Sequence, residues 1–267
     1  MTKGGFQESC FQFGRQRQLT GIVTAPSAAA PRKAFVLVTA GLIPKFGPFR
    51  LYAQLARRLA SEGFLTLRFD LGGVGDSGQE YTGEPLKKRT ELEIRAALDY
   101  LSEHYQLDGI VVGGLCSGAE DAFRYAELDP RVTGVMMIDP FAYKSSGWRW
   151  RHLRHRLARR ALRLLGLYAP YTAADMGPAL VNYKNMDFVE SSRILRAMLK
   201  RKARIHFVYT GGMDGPFNHR RQLKAMFGEI EFAGLVTLDY FPQMGHTQML
   251  GGDRRTLVEA IARQFGA

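Results

Sequence analysis

One stretch constrains this chain more than any other: residues 107–120, which read Leu-Asp-Gly-Ile-Val-Val-Gly-Gly-Leu-Cys-Ser-Gly-Ala-Glu. An apolar, β-branched run ends in small residues and restarts with a helix-forming pattern. Within it Gly114, Leu115, Cys116, Ser117 and Gly118 have the spacing Gly-x-nucleophile-x-Gly. In that arrangement the central residue sits on a strained strand-to-helix turn that pushes its side chain outward. Glycines two residues to either side let strand and helix close on the turn without a Cβ between them. A frame centred on Ser117 has Leu115 and Ala119 at those positions, so Cys116 is the candidate nucleophile. A buried, inert cysteine in an ordinary tight turn is the competing reading. An acid and a histidine at the ends of later strands decide between them.

Both follow in order. Residues 204–210 form a strand pattern that runs out into Gly211-Gly212-Met213-Asp214, which makes Asp214 the expected acid. Asp139, closing the apolar strand 132–138, is its rival. Of six histidines, His246 alone stands after the last expected strand, 235–238, in the loop Met244-Gly245-His246-Thr247. Ahead of the elbow come a hairpin (8–13 and 19–24), a buried strand (34–39), a Gly- and Pro-punctuated loop (40–48), a helix with Leu51, Leu55 and Leu59 on one face, and a strand (65–70). Helices are expected at 90–105, 117–128, 192–201, 217–227 and 254–265. The Gly-rich segment 71–78 has neither the dinucleotide fingerprint nor a Walker ending, which excludes a phosphate loop. Asp70, Asp76 and Ser77 are expected to fix that loop by local hydrogen bonds. The helix that starts after Cys116 turns its N-terminus toward the sulfur and favours negative charge there.

With the order Cys116, Asp214, His246 assembled, the chain resembles the α/β-hydrolase superfamily over nearly its whole length. The likeness is closer to small bacterial α/β-hydrolases associated with exosortase systems. It is carried by Gly41-Leu42 with Gly47-Pro48-Phe49-Arg50-Leu51-Tyr52, by Leu67-Arg68-Phe69-Asp70 through Gly75-Asp76-Ser77, and by Gly114-Leu115-Cys116-Ser117-Gly118-Ala119. The resemblance implies an α/β fold: a mostly parallel central sheet, helices on both faces and a helical cap insertion. It implies a Cys116–Asp214–His246 triad and an oxyanion hole made by the backbone N–H groups of Leu42 and Ser117. Most of the superfamily carries serine at the nucleophile; dienelactone hydrolases and polyester synthases resemble this chain in using cysteine. The implied activity is acyl-group hydrolysis or transfer on an ester or thioester through an acyl-cysteine, with no cofactor and no metal. The alternative is a non-catalytic protein that uses the fold and a basic cap to dock an acidic partner.

Composition sets the remaining bounds. The 267 residues are 46% hydrophobic, enough for one large core. No apolar run is long enough to span a bilayer and the first ten residues lack a signal-peptide core, so a cytoplasmic protein is expected. Cys10 and Cys116 form neither a disulfide framework nor a metal-ligand spacing. The net charge of +12 calls for an anionic partner. Much of it is local: Arg149, Arg151, Arg154, Arg156, Arg159, Arg160 and Arg163 share one segment with an apolar face at Leu153, Leu157, Ala161 and Leu164. The expected organisation is therefore a hydrolase core at 1–140 and 191–267 with an arginine-rich helical cap at 141–190. That cap suits an acidic carrier protein, a membrane surface or a purely structural lid. No recognition motif supports nucleic-acid binding.

Overall fold

The structure, a computed structural model, describes residues 5–27, 30–79, 81–166, 186–211, 217–246 and 250–266. Its centre is an eight-stranded sheet in the order β1-β2-β4-β3-β5-β6-β7-β8. The strands are β1 (Phe6–Phe13), β2 (Leu19–Pro26), β3 (Lys33–Val38), β4 (Leu65–Phe69), β5 (Gly109–Leu115), β6 (Val132–Ile138), β7 (Arg204–Thr210) and β8 (Val236–Phe241). The leading hairpin β1–β2 is antiparallel and β2 joins β4 antiparallel, whereas every pairing from β4 to β8 is parallel.

Central strands must be apolar on both sides, because parallel strands are covered by helices above and below. In β3, Ala34, Val36 and Val38 enter one core while Phe35 and Leu37 enter the other. The first core packs against α2 (Leu86–His104), α3 (Ser117–Ala126) and α5 (Phe188–Lys200), through residues such as Ile94, Phe123 and Leu195. The second packs against α1 (Leu51–Ala60) and α7 (Gly251–Gly266), through Leu55, Leu59, Leu257 and Ile261. Each such side chain contributes about 1.5–3 kcal/mol on burial.

Several elements begin or end away from their sequence patterns, and two of them show why. The helix expected at 217–227 shortens to α6 (Gln222–Met226). Phe217 instead stacks on Tyr209 with ring centroids 3.7 Å apart, and the amide of Asn218 donates to the side chain of Gln222, so the chain is held irregular up to the helix start. In the other direction, α2 begins at Leu86, directly after Pro85, a residue at home at a helix entrance.

Between β6 and α5 the chain leaves the sheet. Residues 139–166 and 186–187 of this stretch are described and include α4 (Ser146–Leu164), which carries the arginine-rich sequence; residues 167–185 of the expected cap lie outside the described residues. The chain re-enters at Met186, whose amide donates to Glu120 of α3 at 2.8 Å and whose carbonyl accepts from the hydroxyl of Tyr143 at 3.0 Å. Burial pushes the carboxyl of Glu120 up to about 7.

Candidate active site

Register places the site before any side chain is considered. Gly114 pairs with Val38, Leu115 with Ile138, Ile138 with Val208, and Thr210 with Phe241. The C-terminal ends of β3, β5, β6, β7 and β8 therefore share one edge of the sheet, neighbouring strands being ~4.8 Å apart. Cys116 follows β5 and Asp139 follows β6 at the same level, and His246 lies in the loop beyond β8.

The turn at Cys116 has φ 53° and ψ −122°, a region that residues bearing a Cβ avoid. Surrounding contacts enforce it. The Cys116 amide donates to the carbonyl of Ile138 at 2.8 Å, and its carbonyl accepts from the amides of Ala119 and Glu120 in the first turn of α3. A Cβ on Gly118 would lie 2.5 Å from the carbonyl oxygen of Val38, and one on Gly114 would lie 2.6 Å from the same atom. Both glycines are thus required by the meeting of three backbones. The resulting thiol is exposed and free.

Asp139 also has a positive φ, 46°. Its Oδ1 accepts the amide of Thr210 at 2.6 Å, and its Oδ2 accepts the Thr210 hydroxyl. The same Oδ2 stands 2.8 Å from Nδ1 of His246. The histidine loop is pinned in turn by the amide of Gly211 donating to the carbonyl of Met244, a buried residue. Hydrogen bonds to Asp139 first and to Cys116 second push His246 up to about 10. Cys116, His246 and Asp139 therefore form one connected chain of groups, and the imidazole between the other two keeps its proton at neutral pH.

The carboxylate described on His246 is Asp139, the rival of the expected Asp214. Nδ1 has one hydrogen-bonding direction in the ring plane and Asp139 occupies it; Asp214 lies outside the described residues. The signal for Asp139 was its position at a strand end. What the sequence did not reveal was that Thr210, on the next strand, would present two donors to it.

Leu42 sits in the turn after β3, where the amide of Ile43 donates to the carbonyl of Ala40 and Gly41 has φ 54°. Ser117 is the first residue of α3. Gly118 packs on the carbonyls of both Val38 and Thr39, so the start of α3 abuts the chain leading to Leu42. Two further side chains hold this junction. The buried hydroxyl of Tyr52 donates to the carbonyl of Val38 at 2.9 Å and accepts the amide of Leu115 at 2.8 Å, extending the β3–β5 ladder by one side-chain rung. Lys45, also buried, reaches Asp70 at 2.7 Å and Asp76 at 2.5 Å, while its own amide donates to Asp70. The local loop-fixing role expected of Asp70 and Asp76 is present, since the Asp76 amide donates to Asp70 at 3.0 Å. Their shared lysine ties the loop after β4 to the loop after β3; nothing in the local sequence Pro44-Lys45-Phe46 marks it as buried.

Among the described residues no group of three or more His, Cys, Asp or Glu is arranged to hold a metal ion, and no helix is long and apolar enough to cross a membrane.

No protein-family model matches the sequence, and no curated protein matches it. Solved structures do match in fold. An esterase of Pyrococcus furiosus superposes with a TM-score of 0.63 at 14% identity, covering 97% of this chain and 90% of its own. An α/β serine hydrolase homologue from Coxiella burnetii gives 0.62 at 17% identity, with 97% of each chain covered. The α/β-hydrolase GrgF of a Penicillium species gives 0.60 at 20% identity, covering 96% of this chain and 97% of its own. The fold of this chain is the α/β-hydrolase fold.

Proposed function

We propose that this protein is an acyl-group hydrolase or acyltransferase that works through Cys116, with His246 as proton carrier and Asp139 as the acid that orients it. The observation that carries the reading is the exposed sulfur on a strained turn, hydrogen-bonded to an imidazole whose other nitrogen is held by a buried-edge carboxylate. A chain of that kind serves nucleophilic catalysis, and a protein that only bound a partner would have no use for the strain. Solved esterases among its structural relatives support the ester side of the reading. The narrower likeness to exosortase-associated hydrolases rests on the motifs alone, and the free thiols suit a reducing cytoplasm.

In the proposed cycle the one proton shared by Cys116 and His246 sits on the imidazole, and the sulfur attacks as the thiolate on the carbonyl carbon of an ester or thioester. A C–S bond forms as the carbonyl π pair moves onto oxygen, where the N–H groups of Leu42 and Ser117 receive it. Collapse expels the alkoxide or thiolate, which takes the proton from His246. The neutral imidazole then removes a proton from water or from an acceptor alcohol, amine or thiol. That nucleophile attacks the acyl-cysteine, the C–S bond breaks, and the sulfur is regenerated. Asp139 keeps the imidazole in one orientation throughout. The expected cap contributes α4 near this site through its described residues.

Incubation with a panel of acyl thioesters and nitrophenyl esters, followed by intact-mass measurement, tests the reading. It predicts one acyl mass on Cys116, none on Cys116→Ala, and slowed release of the acyl group in His246→Ala. Undiminished turnover by Cys116→Ala on every accepted ester would refute it.

A further inference from the structure

Helix α4 is built differently from every other helix of the fold. Among the described residues it holds on to the core near its N-terminus: Trp148 is buried, its carbonyl accepts from Asn218, and Arg151 donates to the same Asn218 side chain at 2.9 Å. Beyond that anchor the apolar residues of α4 turn to solvent. Trp150 is 71% exposed, Leu153 46%, Leu157 59% and Leu164 83%. At 100° per residue, positions 150, 153, 157, 161 and 164 form a single stripe about 80° wide, on the side opposite Trp148. Arg154 borders the stripe on one flank, and Arg149 and Arg160 border it on the other. The helix carries seven arginines and no acidic residue.

A solvated helix has no reason to display tryptophan and leucine on the face it turns away from its own core. A Trp/Leu stripe rimmed by arginines is the composition of a helix that lies in the plane of a bilayer interface, the apolar face entering the acyl boundary and the guanidinium groups meeting anionic headgroups. The neighbourhood agrees. Phe188 and Val189 at the N-terminus of α5, and Leu42, Phe46 and Leu250 in loops beyond β3 and β8, are exposed apolar side chains, and all of them lie at the sheet edge that carries Cys116.

We propose that α4 docks this protein on an anionic lipid surface, with the Cys116 edge of the sheet turned toward the membrane. An acidic protein would satisfy the arginines but would leave the tryptophan and leucine stripe without a matching surface, so the lipid interface is the better fit.

Flotation with vesicles of phosphatidylcholine, alone or with about 30 mol% phosphatidylglycerol, is the direct test. Anionic vesicles are expected to bind at least about tenfold more tightly than neutral ones, and each of Arg154→Gln and Arg160→Gln to weaken binding about fivefold. Leu153→Asp with Leu157→Asp should abolish binding, while the melting temperature and the turnover of a water-soluble ester stay unchanged. Trp150 supplies a second reading, since the chain has only two tryptophans: emission should shift to shorter wavelength on vesicle binding in the wild type and not in Trp150→Phe. No binding to anionic vesicles would overturn the proposal. So would binding that survives the double leucine substitution, tighter retention on polyglutamate than on vesicles, or a Trp150 emission already at short wavelength in buffer, which would mean the chain itself covers the stripe. Every readout but the control is binding, so failure of the proposed chemistry and failure of docking are distinguishable.

Discussion

At the elbow the backbone is enclosed on every side. Cys116 is tied to Ile138 and to the first turn of α3, Leu115 to Tyr52, and both flanking glycines are pressed against the carbonyl of Val38. Along α4 most side chains beyond Trp148 and Arg151 meet water, and its leucines lie on the surface. The contrast teaches which residues the fold itself explains. Those at the elbow are required for the turn to exist at all. The exposed leucines of α4 could be exchanged without loss of a described core contact, so the fold itself does not account for their pattern.

Three experiments would break or sharpen that contrast. The largest effect is expected for Asp139→Asn, which leaves the volume intact but lets the imidazole take the wrong tautomer; kcat/KM should fall by about 10⁴-fold. Asp214→Asn should change it little, and steady-state kinetics with the reverse ranking would return the acid's role to Asp214. A stability comparison comes next. In Gly118→Ala the new Cβ would sit 2.5 Å from a backbone oxygen that cannot give way, so unfolding should become easier by about 1–3 kcal/mol. Leu157→Ala on α4 should stay within about 0.5 kcal/mol. Equal shifts in urea-unfolding midpoints would erase the distinction between the two regions.

The smallest effect is a pH dependence. His246 is raised in the folded protein from an ordinary value near 6.5 to about 10. A raised pKa means that the folded state binds the proton more tightly than the unfolded chain. This contribution is therefore fully present below about pH 6.5 and is lost as pH rises through about 10. The ring is half exposed, so solvent screening keeps the gain small. Melting temperatures of wild type and Asp139→Asn, taken from pH 6 to pH 10, should converge as pH rises; curves that stay parallel would show that the Asp139 contact does not hold the proton.

How far the site was legible depended on whether its cause was local. The elbow could be read directly, because two glycines and a cysteine within five residues state a steric requirement on neighbouring atoms. The order of strands and the solitary histidine after the last one were legible for the same reason: apolar periodicity is a property of short windows. The acid was not, since two carboxylates each followed a strand and nothing nearby in the chain ranked them. The bridging roles of Tyr52 and Lys45 were not legible, because their partners lie 63 and 25 residues away in sequence. In α6 the helical pattern was present, but Phe217 gained more by stacking on Tyr209 than by entering a helix.

The amino-acid sequence by itself determined a sheet with two apolar faces, a forced turn with sulfur at its apex, and one helix whose charge and apolar stripe are segregated. Each follows from propensities and sterics among residues close in the chain. Only the tertiary structure decided that Asp139 meets the histidine, because the choice rests on the parallel register of β6 and β7 bringing Thr210 beside it. It alone also decided that the stripe of α4 faces outward, since Trp148, on the opposite side, is the residue the core takes in. A periodic pattern fixes which residues share a face, and long-range packing fixes where that face points.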